Sequence, residues 1–256
     1  MNESQRSRLV SAARGLTFAS SAAIVVGIAP SQIFLGLALA ALLASREKLS
    51  LPPIKLPLAL FLLGTLIAVC LSGDPRAGFP QVKKIYVFSQ LVVAYTLLRT
   101  TKVARWLVLT WAAFGAASAL LGVVQFAIKL HRIHALHRDF YSAYMAARIT
   151  GFMSHWYTFS VEEMLVLLML GAFLFFSPVA RRHIWIWTAV AMTMALGVVL
   201  AETRAVWIAT VIGAIYLVWR WRPWLTAAIP VLVIAGLLLA PRTLRERAIS
   251  IVKPGR

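Results

Sequence analysis

Nine apolar runs dominate the sequence, at residues 16–29, 33–44, 56–71, 85–98, 106–128, 161–176, 184–201, 205–219 and 224–240, and short polar or basic connections join them. A helix crosses the hydrocarbon layer of a bilayer with about 20 residues and pairs its backbone groups internally, so runs of this kind read as membrane spans. Composition agrees: 61% of the residues are hydrophobic and 13% charged, against about 45–50% and about 25% in a soluble domain. Ordinary cytosolic enzymes, disordered or collagen-like chains and disulfide-rich secreted folds are thereby excluded. The expected fold class is an all-α integral membrane protein with about nine transmembrane helices, within a range of eight to ten. The first two runs are separated only by Pro30, Ser31 and Gln32, which suits either a tight hairpin or a kink in one long helix. A kink removes one span and inverts the later topology. All 256 residues read as a single polytopic membrane domain, with residues 1–105 forming its N-terminal spans.

Lys and Arg number 26 against 8 Asp and Glu, a net charge of +18. The cations lie between the apolar runs, where they meet lipid headgroups and set topology, so membrane lipid and not nucleic acid is the expected partner. With the N-terminus in the cytoplasm, 13 cations fall on each side, and the positive-inside rule is silent. Once residues 129–160 and the tail at 241–256 are set aside, 13 cations face 4 and the cytoplasmic N-terminus is favoured. The reason for setting 129–160 aside is that its outer cations are expected to bind an anion. This segment mixes cations, tyrosines and apolar residues as a helix lying in the membrane interface does, and residues 131–144 are its expected core. Residues 1–14 are basic and precede an apolar run, which here reads as an uncleaved first anchor because many more runs follow. Cys70, the single cysteine, lies within an apolar run and cannot form an intrachain disulfide.

No P-loop, CxxC pair, HExxH or GxSxG motif occurs, so P-loop nucleotide hydrolysis, structural zinc, zinc proteolysis and the serine-hydrolase elbow lack sequence support. His131, His134 and His137 recur every third residue and drift around a helix, so a shared metal is not expected. With Lys129, Arg132 and Arg138 interleaved, they read as a basic, headgroup-facing helix. What remains is a set of charges at the outer ends of spans. Arg204, in AETRAVW, is either a snorkelling cation paired with Glu202 or a fixed guanidinium for a lipid-linked phosphate, whose oxygens its planar fork matches two at a time. Arg148, in ARITGFMSHWYTFS, precedes a turn at Gly151 and a group of hydrogen-bonding side chains that includes Ser154, His155 and Tyr157. That cluster is either interfacial trim or part of the same site. Glu162 and Glu163 open the sixth run, where they either offset the positive end of the helix dipole or reach a basic pocket as a proton acceptor.

Three segments, RITGFMSHWYTFS before an apolar helix, ETRAVWIA after a short outer turn, and RERAISI after a further helix pair, resemble the O-antigen ligase and O-antigen polymerase superfamily. Members typically carry an R-x-x-G-x-F-like segment and a later [ST]-R-[GA] segment. Here these positions are Arg148 with Gly151, and Thr203, Arg204 and Ala205. The resemblance covers residues 106–251. It implies a multi-pass glycosyltransferase of the bacterial inner membrane with its site on the periplasmic side. Such an enzyme needs no metal or other cofactor and moves a glycan from undecaprenyl diphosphate to a sugar hydroxyl on lipid A-core or a growing polysaccharide. Arg148 and Arg204 then hold the diphosphate, with Glu162, Glu202 and Thr203 in support. In the family a large periplasmic loop with a functional histidine and further spans follow. The sequence ends at Arg256, so residues 241–256 are expected to begin that loop and the chain to be an N-terminal portion. The missing base would then be supplied by Glu163 or His155. A transporter or flippase for a lipid-linked or anionic solute is the alternative, and a noncatalytic membrane assembly partner a third.

Overall fold

The computed structural model describes residues 2–74, 76–78, 84–178, 183–227, 231 and 234–235. Among these no strand occurs, and the regular elements are all helical. The chain divides into two compact units, Met1–Leu107 and Val108–Arg256.

In the first unit, α1 (Glu3–Ala23) and α2 (Ile28–Ser45) form a hairpin against which α4 (Ser89–Leu97) packs. Ala13, Ala38, Leu42, Val93 and Leu97 are its buried core. Ser31 Oγ donates to the Ser20 carbonyl (2.9 Å), Ser20 Oγ lies 2.8 Å from the Ser31 carbonyl and 2.9 Å from Gln90 Oε1, and Gln90 Nε2 donates to Ser21 Oγ (2.6 Å). These reciprocal bonds require a turn between Ser20 and Ser31 and decide for the hairpin over the single kinked helix. The break itself falls at residues 24–27, earlier than the proline. Pro30 sits in the first turn of α2, where the N–H it lacks would have no partner within the helix. None of the residues of α3 (Lys55–Leu71) is buried. A helix apolar on all sides and uncovered by protein needs an apolar solvent.

The second unit is built on α5 (Thr101–Ala135), which starts in the first. Its 35 residues span about 52 Å at 1.5 Å per residue, well beyond the about 30 Å of a hydrocarbon core. A short α6 (Phe140–Ala146) follows, then α7 (Trp156–Phe176), α8 (Ile184–Leu200) and α9 (Arg204–Trp221), with α7 packed on both α8 and α9. Phe159 is fully buried where three glycines face it. A Cβ at Gly122, Gly151 or Gly197 would lie 3.2, 2.5 or 3.5 Å from its ring. Gly122 of α5, Gly151 of the turn before α7 and Gly197 of α8 thus make room for this side chain of α7.

Among the described residues three helices are long and apolar enough to cross a membrane, Ile28–Ser45, Thr101–Ala135 and Trp156–Phe176, and Lys55–Leu71, Tyr86–Leu97 and Ile184–Leu200 are shorter apolar helices. Most of the ninth expected run and all of the tail at 241–256 lie outside the described residues.

Two expectations are corrected. Residues 131–144 are not one helix. α5 runs on through His131 and His134, ends in a left-handed turn at His137 (φ 47°), and α6 starts afresh after Asp139. His137 N–H donates to the His134 carbonyl and Arg138 N–H to that of Ile133 (both 3.1 Å), the paired bonds that close a helix C-terminus. The helix within 129–160 is therefore the seven-residue α6. Nor do Glu162 and Glu163 open their helix. α7 begins at Trp156 and has no acidic residue in its first turn, so the helix-dipole explanation of the two carboxylates fails.

Candidate functional site

The segment between α6 and α7 is held from α5. Gln125 Oε1 accepts from the Thr150 N–H (2.9 Å) and the Gly151 N–H (3.1 Å), and Nε2 donates to the Gly151 carbonyl (3.1 Å). One turn along α5, Lys129 Nζ donates to the carbonyls of Ala147 (2.6 Å) and Arg148 (2.7 Å). Ser118 Oγ, on the same face, accepts from the Phe152 N–H (3.3 Å). Gly151 has φ 55°, and a Cβ there would run into Ser118 Oγ and the Phe159 ring, so only glycine fits this turn.

Arg148 emerges from the clamped turn with its guanidinium carbon 3.9 Å from the centre of the Trp156 ring, close enough for a cation–π contact. His155 caps α7, its Nδ1 accepting from the Tyr157 N–H (3.2 Å). A neutral imidazole that accepts at Nδ1 carries its proton on Nε2. The exposed His155 therefore presents a donor outward.

One turn after Trp156, the buried Ser160 Oγ lies 3.2 Å from Thr203 Oγ1. Thr203 is the residue before α9, and Arg204, partly exposed, is its first residue. Glu202 ends α8 in the left-handed conformation (φ 48°) and is 3% exposed. Glycine or asparagine is usual at such a position; a glutamate held there carries local strain of the sort found at functional sites. Tyr144 of α6 donates to the Leu200 carbonyl (2.6 Å), joining α6 to the same end of α8.

The structure thus brings the Arg148 and Arg204 segments onto the first two turns of α7, together with His155, Gly151, Glu202 and Thr203. Glu163 lies elsewhere. It is 1% exposed, two turns along α7 from Trp156, hydrogen-bonded by Ser118 and set against Gly115 of α5. Its Oε2 and Glu162 Oε1 are buried without a hydrogen-bond partner among the described residues. No group of three or more His, Cys, Asp or Glu suited to a metal occurs among the described residues.

Gln125 and Ser118 belong to the site without carrying a charge that singles them out in the sequence. Their sequence signal is one of spacing: within the run 106–128 the small or polar residues Gly115, Ser118, Gly122 and Gln125 recur at three- and four-residue intervals, which marks one helix face.

Among the described residues the chain is all-helical and carries three helices long and apolar enough to cross a membrane. Compared with known protein families, curated proteins and solved structures, it matches none.

Proposed function

We propose that Arg148 and Arg204 together bind the diphosphate of an undecaprenyl-linked glycan, and that the protein transfers this glycan to an acceptor sugar hydroxyl in surface polysaccharide biosynthesis, as the resemblance to O-antigen ligases and polymerases implies. The observation that carries this reading is the convergence of both arginine segments on α7, through the Arg148–Trp156 stack and the Ser160–Thr203 contact. In this reading nine spans cross the bacterial inner membrane, the N-terminus is cytoplasmic, and the site faces the periplasm.

The acceptor oxygen attacks the anomeric carbon, a carbon–oxygen bond forms, and the bond from that carbon to the diphosphate breaks. Charge develops on the departing diphosphate, and two guanidinium groups in a partly dehydrated site stabilise it. His155 adds its Nε2–H as a further donor. Having spent its Nδ1 lone pair on Tyr157, it is ill suited as the base. The base is then Glu163, which lies two turns along α7 from Trp156 and has an Oε2 without a hydrogen-bond partner among the described residues.

Transport of a lipid-linked anion is the second reading, favoured by a carboxyl buried inside a candidate span. Transport sites are commonly built from broken helices, whereas α7 is continuous.

Binding of undecaprenyl diphosphate to the purified full chain tests the proposal. A lost guanidinium–phosphate contact costs about 1.5–3 kcal/mol, so Arg148→Ala or Arg204→Ala should each weaken binding about 10- to 100-fold, with lysine restoring only part. Glu163→Gln should keep binding and lose transfer. Unchanged binding in both alanine variants refutes the shared site.

A further inference from the structure

A second basic site lies at the corner between α5 and α6. A cavity of about 220 Å³ is lined there by Lys129, Arg132 and Arg138, with Ile133, Leu136 and Tyr144 among its apolar walls. We propose that this cavity binds the phosphate of an anionic amphiphile, with the phosphate among the three cations and the apolar chain along Leu136. Its two arginines take no part in the diphosphate site, and Lys129 alone serves both, since it also holds the Arg148 turn.

Helical spacing puts Lys129 and Arg132 on one face of α5, Leu136 follows directly after its last residue, and the left-handed turn at His137 folds Arg138 back toward Ile133, to whose carbonyl its N–H is bonded. The simplest use of cations in a last helical turn is to satisfy its free carbonyls. That need is already met, because the carbonyls of Arg132, Ile133 and His134 accept from the backbone N–H groups of Leu136, Arg138 and His137. Neither Arg132 nor Arg138 has a side-chain hydrogen bond or ion pair with another described residue. The neighbouring carboxylate, Asp139, is bonded to the Ser142 N–H and hydroxyl (both 2.8 Å). Lys129 uses two of its three donor positions on Ala147 and Arg148.

Three cations around one small cavity, with no carboxylate bonded to the arginines, favour an anion, and two planar forks suit phosphate oxygens. The volume is below the about 300–1,000 Å³ of pockets that enclose whole ligands, so it takes a headgroup. Leu136 is 61% exposed beside the cations, an apolar path that a free inorganic ion does not use.

Native mass spectrometry of the detergent-purified full chain, titrated separately with phosphatidylglycerol, phosphatidylcholine and inorganic phosphate, tests the proposal. Phosphatidylglycerol should bind best, and Arg132→Gln combined with Arg138→Gln should weaken it about 10- to 100-fold. Leu136→Glu, which places a carboxylate at the mouth from an exposed position, should do the same. Arg8→Gln with Arg14→Gln, an equal loss of charge elsewhere, should leave binding within about twofold of the unchanged chain. Inorganic phosphate binding that alone is lost in the cavity variants would keep the anion site and overturn the lipid as its source. Equal loss in the Arg8 and Arg14 variant, equal binding of phosphatidylcholine, or no loss in either cavity variant would overturn the proposal.

Discussion

Ser160 Oγ and Thr203 Oγ1 lie 3.2 Å apart between two buried side chains, and this contact ties the second turn of α7 to the residue that precedes Arg204. Each hydroxyl also has a local carbonyl, Tyr157 for Ser160 (3.0 Å) and Ala201 for Thr203 (3.2 Å). Replacing either should therefore be mild in stability and larger in placement. Ser160→Ala and Thr203→Val should each cost about 1 kcal/mol. A double-mutant cycle by thermal unfolding should give a coupling of about 0.5 kcal/mol or more, the size found for directly contacting residues. Undecaprenyl diphosphate binding should weaken in both variants although neither arginine is altered.

Gly151→Ala should be among the most damaging single-methyl changes in the protein. Alanine at φ 55° costs about 1–2 kcal/mol in backbone strain, and overpacking against Ser118 and Phe159 adds about 1–3 kcal/mol. A melting temperature unchanged in Gly151→Ala would contradict the geometry of this turn.

Gln125 serves the same turn through both ends of its amide. Gln125→Leu is nearly equal in size but leaves the Thr150 and Gly151 N–H groups without acceptors. The expected loss is about 2–4 kcal/mol. Gln125→Glu keeps the acceptor and loses the donor to the Gly151 carbonyl, so it should lie between the two. Hydrogen exchange at Thr150 and Gly151 reads the effect directly, with exchange accelerating most in the leucine variant.

A pH dependence follows from Asp139. The Ser142 N–H, then the Ser142 hydroxyl, hold its carboxyl below the ordinary 3.8. A depressed carboxylate contributes stability that is fully present above its unfolded value and is lost as pH falls through the folded one. Protection of the Ser142 amide should therefore be constant from neutral pH down to about 4 and decline in more acidic solution. Asp139→Asn, a cap that does not titrate, should show no such decline, and an equal decline in that variant would assign the effect to another group.

Hydropathy located the helices well where a long apolar run was enough to define them. α3 begins at Lys55 and α8 at Ile184, within one residue of the expected runs. It failed at ends governed by hydrogen bonding. Polar residues carry α5 on to Ala135 and start α7 five residues early at Trp156, because helix termini depend on capping bonds more than on hydrophobicity. The arginine segments were also legible, since a cation between two apolar runs stands out by charge alone.

Apolar runs alone call for helices in an apolar solvent, and the described residues are all helical, because the free energy of burying such runs is local and additive along the chain. That residues 3–45 form a hairpin, that Gln125 and Lys129 hold the Arg148 turn, and that Ser160 meets Thr203 is visible in the folded chain alone. Those outcomes depend on hydrogen bonds between residues 11 to 43 positions apart. Donor and acceptor must agree in distance and direction, and no linear pattern of polarity encodes which pairs will do so.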